Sequence, residues 1–446
     1  MESTTMPSDR KERLSWYLYD FANTSFTVLM VTALYPLFFK AIATAYFGDA
    51  NVADALWGFA GTATMLVVAA IAPVLGAIAD YSGAKKKFLI FFTALCVFFN
   101  SLIFFIPVSV PMIFGIPVWI IAWVFFVIAN IGFEGALPFY DAWLPEISTE
   151  DTIARVGGFG YAAGYVGAFF TVLIALISVL NFGDMSTIPY LLGAIFFFVF
   201  AIPAIRGLKN RPALARPEEE GMSMISIGFN RLKVTFREMK KYQGLPRFLA
   251  SYFIFSDAIT TVIVFAAIYG AAVYAFTSTD ILIFFLVTQL SAIPGAFIFG
   301  YIGDYIGTKK TLIITLFLWI FVLLLGVLGS EPIVFWILGM IAGVGMGSAQ
   351  STARSMYGQY IPEEKRTEMF GLYAFTGRFA AIFGPSVYGG VLLVASSYAI
   401  DNALANRFAL LSVLSFFIIA LIILLGVKQP VKGMSKAYLS DSDSEN

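Results

Sequence analysis

The chain reads as long apolar runs separated by short polar breaks. Twelve such runs can be drawn, at about 14–40, 55–80, 87–106, 117–143, 154–180, 188–206, 248–275, 280–302, 311–329, 333–358, 368–397 and 406–427. At 1.5 Å per residue, about 20 apolar residues cross about 30 Å of hydrocarbon. Most of the runs meet that length, so the pattern predicts an all-α membrane protein with twelve transmembrane helices. A polar tail, 1–13, precedes the first run, and a second tail, 428–446, follows the last. The widest polar break, 207–247, divides the chain into halves at 14–206 and 248–427.

Composition supports this reading. Of the 446 residues, 59% are hydrophobic and 13% charged, with a mean hydropathy of +0.85. A soluble fold cannot hide that much apolar surface, whereas a bilayer can. The formal net charge is zero, which gives no reason to expect a nucleic-acid partner. There is one cysteine, Cys96, and no histidine. A disulfide framework, a thiolate metal site and the usual metal ligand are therefore excluded within one chain. No cofactor is expected, and any proton handling falls to carboxylates.

Positive charge sets the topology. With both termini in the cytoplasm, Lys and Arg fall in the tails, at Lys85 to Lys87, in the central break, at Lys309 and Lys310, and at Lys365 and Arg366. Only Lys40 and Arg407 lie near the outer loops, as the positive-inside rule requires. The outer loops carry no glycosylation sequon, which favours a bacterial cytoplasmic membrane. Within 207–247, a helix over 223–242 would place Ile225, Phe229, Leu232, Phe236 and Met239 on one face and Arg231, Lys233, Arg237, Lys240 and Lys241 elsewhere. Such a basic amphipathic helix is expected to lie on the cytoplasmic leaflet. The acidic end, Ser440 to Asn446, is expected to be disordered.

The halves repeat one stretch. Gly76-Ala-Ile-Ala-Asp80-Tyr81-Ser-Gly-Ala-Lys-Lys86 returns 224 residues later as Gly300-Tyr-Ile-Gly-Asp304-Tyr305-Ile-Gly-Thr-Lys-Lys310, identical at seven of eleven positions. It resembles the signature loop of the major facilitator superfamily of transporters. The resemblance implies two pseudo-symmetric six-helix bundles that work by alternating access. It also implies that Asp80 and Asp304 act as gating latches, Asp80 near Gly371 and Asp304 near Gly158. Spans one, four, seven and ten would line a central cavity.

Ionisable residues inside the apolar runs need a reason, because each costs at least about 2.5–3.5 kcal/mol to insert. Asp20 lies on span one, Glu134 and Asp141 on span four, Asp257 on span seven, Arg354 on span ten and Arg378 on span eleven. Helix rise puts Asp257, Arg378 and Glu134 near the midplane, about 15 Å deep. Carboxylates with guanidinium groups suit a zwitterionic solute, since an Arg fork grips a carboxylate and an acid grips an ammonium. Asn23, Asn130 and Gln350 stand three or four residues from Asp20, Glu134 and Arg354 and extend polar stripes. Each has a structural alternative. Arg354 and Arg378 could pair with Asp257 and Glu134 to hold the bundle together. Asp20 could pair with a nearby cytoplasmic cation, and Asp141 could be a helix-end contact. The glycines Gly157, Gly158, Gly160, Gly164 and Gly167, and Gly339, Gly343, Gly345 and Gly347, suit close helix approach. Gly132, Gly135 and Pro138 suggest a bend beside Glu134.

Three stretches narrow the resemblance: Trp16-Tyr-Leu-Tyr19-Asp20-Phe-Ala-Asn23, Pro138-Phe-Tyr140-Asp141-Ala-Trp143-Leu-Pro145-Glu146, and Gln350-Ser-Thr-Ala-Arg354-Ser355. Together they resemble the unknown-major-facilitator branch, related to fungal autophagy-related vacuole effluxers associated with amino-acid export. Tyr81 and Tyr305 replace the basic residue usual after the signature Asp, and span four lacks the arginine of proton antiporters, so a standard drug or sugar porter is not implied. The expectation is a monomeric secondary transporter, not an enzyme, for a small polar or zwitterionic solute such as an amino acid. Asp20, Glu134 and Asp257 are the carboxylates available for proton or other ion coupling, and membrane lipid is the surrounding partner. A lipid or lysolipid flippase of the same fold and a non-transporting receptor or scaffold are the alternatives.

Overall fold

A computed structural model describes residues 10–82, 84–107, 110–148, 153–210, 239–361 and 366–428, with 226, 233, 234 and 237 of the central break. The side chains of 72–82, Gly158, Asp304 and Gly371 lie outside the described residues, and with them the proposed latches. The first tail up to 9 and the acidic end also lie outside, as does most of the expected amphipathic helix.

Among the described residues, eleven helices are long and apolar enough to cross a membrane, or twelve with one bent pair counted as a span. The chain clusters into two compact units. One is Met1–Phe229 with Ala266–Ile268 and Phe276–Leu282, and the other is the remainder.

In the first unit, span one is α1 (Arg10–Phe26), a π-helical segment (Thr27–Ala33) and α2 (Tyr35–Phe47), bent by 41°. Pro36 explains the bend: it has no N–H to return to Thr32, and its ring would strike that carbonyl. Spans two to six are α3 (Ala50–Ser82), α4 (Lys85–Leu102), α5 (Val118–Asp141), α7 (Ile153–Phe182) and α8 (Ile188–Gly207), with a one-turn α6 (Leu144–Ile147) after α5. The helix α1 packs on α7 and α8, and α5 on α3 and α4. Glycines set these distances. A Cβ at Gly132 would stand 2.5 Å from the Cys96 amide nitrogen, and one at Gly135 2.6 Å from the Phe92 ring. These two glycines therefore seat span three, and α5 stays one helix through Pro138.

Ion pairs among the described residues brace this unit. Lys40 Nζ meets Asp54 Oδ2 at 2.7 Å, with Asp54 fully buried. Lys85 Nζ meets Glu146 Oε1 at 2.6 Å, and Lys86 Nζ donates to the Leu208 carbonyl at 3.0 Å. The signature lysines thus hold the ends of α6 and α8. A hairpin of β1 (Met112–Ile113) and β2 (Ile116–Pro117) joins spans three and four. Phe114 (φ 51°) and Gly115 (φ 79°) make its two-residue turn, the left-handed kind that fits strand twist.

The second unit has α9 (Leu245–Tyr274) apart from Ala266–Ile268, α10 (Ser278–Ile306) from Ile283 onward, α11 (Thr308–Leu328) and α12 (Pro332–Tyr360). Its last two spans are the pair α13 (Arg366–Ala380) with α14 (Phe383–Ser397), and α15 (Asn402–Leu425). The signature stretch is less of a loop than expected. Helix continues to Ser82 in the first copy and to Ile306 in the second. Gly307 (φ 91°) then ends α10 with its N–H on the Gly303 carbonyl at 3.1 Å. Lys309 Nζ donates to the Leu425 carbonyl at 2.9 Å, capping α15 as Lys86 caps α8. Basic groups at helix C-termini are favoured by the backbone dipole.

Candidate functional site

Each unit carries one polar cluster, built by the spans that the sequence singled out. In the first, the Trp16 and Tyr140 rings stack with centroids 4.6 Å apart and planes 7° from parallel. Trp16 Nε1 donates to the Tyr140 carbonyl at 3.0 Å. Tyr19 also stacks on Tyr140, at 5.0 Å, and its hydroxyl meets Thr93 Oγ1 at 2.8 Å. The motif aromatics of spans one and four are therefore one stack, which fixes the register of the acid between them. Asp20 receives the Asn23 amide at 3.5 Å; the Tyr140 hydroxyl lies beside it, and the Asp141 carboxylate is near enough to repel it. Tyr165 of α7 also lies within its field. Among the described residues no cation pairs with Asp20, so the alternative of a cytoplasmic ion pair is not found. A Cβ at Gly160 would fall 2.5 Å from the Trp16 ring and 3.2 Å from Asp20 Oδ2. Glycine there lets α7 close over the acid.

Asn130, Glu134 and Asp141 extend the acidic surface along α5. Spacings of four and seven residues put them on one stripe. Asn130 is buried, Glu134 half-buried and Asp141 exposed.

The second unit repeats the arrangement with opposite charge. Gly377 takes the place of Gly160: a Cβ there would meet the Tyr252 hydroxyl at 2.6 Å. Tyr252 stacks on Tyr373 at 4.2 Å, and Tyr373 lies 4.8 Å from Tyr357. Tyr252 hydrogen-bonds with Tyr373 and Ser256, and the charges of Arg378 and Arg354 both act on it. Tyr252 thus lies within the field of both arginines. Gln350, four residues before Arg354, is exposed.

Asp257 stands apart from the arginines. It is 2% exposed, and its Oδ1 accepts the Gly384 amide at 2.9 Å. Its carbonyl accepts the Thr261 hydroxyl at 2.8 Å. Span eleven breaks at Ala381–Ile382 because Pro385 cannot donate into the helix. The first free amides of α14 then need an acceptor, and Asp257 supplies it as a cap from a neighbouring helix. The alternative in which Asp257 pairs with Arg354 or Arg378 does not hold among the described residues, where Asp257 meets the Gly384 backbone. Sequence reasoning passed over Trp16, Tyr140 and Tyr165 as site groups, and Tyr252 and Tyr373 altogether. Trp16 stands four residues before Asp20; the others carried no signal beyond being aromatic in a chain rich in aromatics. Among the described residues no cluster of acids, histidines or cysteines could hold a metal.

Two units of six membrane-crossing segments, each with a polar cluster on spans of the same number, define a multi-pass membrane transporter of the major facilitator type. Its solved neighbours agree on the fold. A nucleoside transporter, NupG, superposes with a TM-score of 0.67 at 14% identity, over 93% of this chain and 99% of that one. A peptide transporter, POT, gives 0.62 at 12%, over 94% and 96%. The chain belongs to the family described as "Vacuole effluxer Atg22 like", which matches residues 59–437. It is 30% identical over 424 residues to an uncharacterized MFS-type transporter, YxiO, of Bacillus subtilis, covering 93% of this chain and 94% of that one. It is 28% identical over 269 residues to autophagy-related protein 22-1 of Emericella nidulans, covering 54% of this chain and 46% of the fungal one. The chain thus aligns with about half the length of such fungal relatives. The family and the Bacillus relative support a transporter of the major facilitator type rather than an enzyme.

Proposed function

We propose that the protein is a secondary transporter for a small zwitterionic solute, such as an amino acid, working by alternating access. The observation that carries this reading is the division of charge between equivalent places. The first unit presents Asp20, Glu134 and Asp141; the second presents Arg354 and Arg378 around Tyr252. The acids suit an ammonium and the arginine pair suits a carboxylate. Asn23, Asn130, Gln350 and the Tyr140 and Tyr252 hydroxyls supply neutral hydrogen bonds that fix orientation. Asp20 and Glu134 are the carboxylates through which a proton would couple, while Asp257 holds the broken span. Asp80 and Asp304 gate. Both termini lie in the cytoplasm of a bacterial cell. The family description, an effluxer, supports a carrier role but leaves this assignment of solute to the chemistry.

Ligand-induced stabilisation tests it. A ligand that binds the folded form alone, at 100 times its Kd, stabilises by about 2.7 kcal/mol. A thermal-shift screen of amino acids, dipeptides, nucleosides and lysolipids at two pH values is expected to single out amino acids. A response to lysolipids alone would reassign the solute.

A further inference from the structure

The connection between spans three and four is apolar where its neighbours are polar. No charged residue occurs between Lys87 and Glu134. The connections from span one to two and from span five to six carry Asp49 and Asp184. All three lie at the end of the first unit opposite Lys85 and Glu146. Thr187 Oγ1 ties two of them together, donating to the Phe104 carbonyl at 3.0 Å.

The hairpin tip is the sharpest contrast. Phe114 is 100% exposed, and Met112 and Ile116 are about half exposed. The φ of 51° at Phe114 is one that turns give to Asn, Asp or Gly and that a bulky side chain resists. A fully exposed ring gains no packing within the chain to offset this. The reason for Phe at that position lies outside the chain.

Height identifies what lies there. Span three runs 21 residues, Lys85–Phe105. At about 1.5 Å each they already cross the hydrocarbon core of about 30 Å. The hairpin therefore stands in the headgroup layer, which adds about 5–7 Å on each side. At the same end, the Trp119 ring lies 5.1 Å from Phe47 and 6.2 Å from Tyr46. Trp119 is the second residue of α5, while Tyr46 and Phe47 end α2. Trp and Tyr gather where hydrocarbon meets headgroups, so this cluster marks the boundary. The apolar face of the hairpin continues the lipid-facing surface of the spans across it.

We propose that the hairpin lies against the bilayer and that Phe114 anchors it in the headgroup layer beside Trp119. The occupant of its apolar face is lipid of that leaflet. The stem is held to α5 by the Val118 amide on the Pro111 carbonyl at 3.0 Å, so the anchor bears on the depth of spans three and four.

The full chain, with buried Cys96 replaced by Ala, is spin-labelled at Ile116→Cys and reconstituted in proteoliposomes. Exposed Asp184→Cys on the neighbouring connection is the reference in water. Collision with oxygen reports lipid, and collision with a water-soluble nickel chelate reports solvent. The label at 116 is expected to meet oxygen and be shielded from the chelate, and the label at 184 the reverse. Phe114→Asp should move the label at 116 towards the chelate. A label at 116 as open to the chelate as the one at 184 puts the hairpin in water and overturns the proposal. So does Phe114→Asp leaving both collision rates unchanged. A label shielded from both reagents, with spin–spin broadening between chains, assigns the face to a second copy and also overturns it.

Discussion

Asp257 Oδ1 accepts the backbone N–H of Gly384 at 2.9 Å, so a buried acid on span seven caps the second half of span eleven. The contact needs both residue types. A Cβ at Gly384 would stand 2.7 Å from that oxygen and closer still to Thr261 Oγ1. Asp257→Ala should lower stability by about 1–3 kcal/mol, since it leaves a buried amide unmet. Asp257→Asn keeps an acceptor and should stay within about 1 kcal/mol of the unaltered protein. Gly384→Ala should cost about 1–3 kcal/mol through overpacking. Thermal unfolding of the purified protein in detergent ranks all three. Equal losses for Asp257→Asn and Asp257→Ala would show that charge, not capping, is what the site needs.

Packing and chemistry separate at the aromatic stack. Trp16→Ala removes the ring over Tyr140 and the bond to its carbonyl, and should cost about 3–5 kcal/mol. Tyr140→Phe keeps the stack and loses only the hydroxyl beside Asp20. Its stability should change by less than about 1.5 kcal/mol, while uptake into proteoliposomes falls. Uptake unchanged in Tyr140→Phe would remove this hydroxyl from the site.

The pair Lys40 and Asp54 predicts strong coupling. Asp54 is fully buried and Lys40 is partly so, and breaking a buried pair from one side costs about 3–5 kcal/mol. Lys40→Met or Asp54→Leu alone should be damaging, and the two together should cost less than their sum. A double-mutant cycle on thermal stability reads the coupling. Additive losses would mean the two charges do not sense each other.

How much of this was legible in the sequence depends on what hydropathy can see. The spans follow from apolar length, and the repeat of Asp80 at Asp304 pairs the halves. The breaks do not follow. Pro36 and Pro385 interrupt hydrogen bonding, yet apolar residues continue past both, so an average over the run stays high. The hairpin at Phe114 was missed for the same reason: its strands are as apolar as the span that follows. Asp257 shows a second limit. A buried acid announces that it needs a partner, but spacing cannot say whether that partner is an arginine or a backbone amide. The arginines Arg354 and Arg378 likewise could be placed on their helices, while Tyr252, on which both act, carried no signal beyond being one more aromatic in a chain rich in them.

The arginine cluster makes the most specific claim about the solute. Arg378→Lys keeps the charge and loses the planar fork, so it should weaken apparent solute affinity more than it lowers stability. Arg378→Met should abolish binding. Both are read by ligand titration in thermal unfolding.

The most direct measurement is uptake of radiolabelled amino acids into proteoliposomes by the unaltered protein and by Asp20→Asn and Arg354→Met/Arg378→Met variants, each first shown to be folded by its melting transition. The account predicts saturable uptake of at least one amino acid, and its loss when either cluster is neutralised. Saturable uptake that survives both replacements, or none for any amino acid by the unaltered protein, would contradict it.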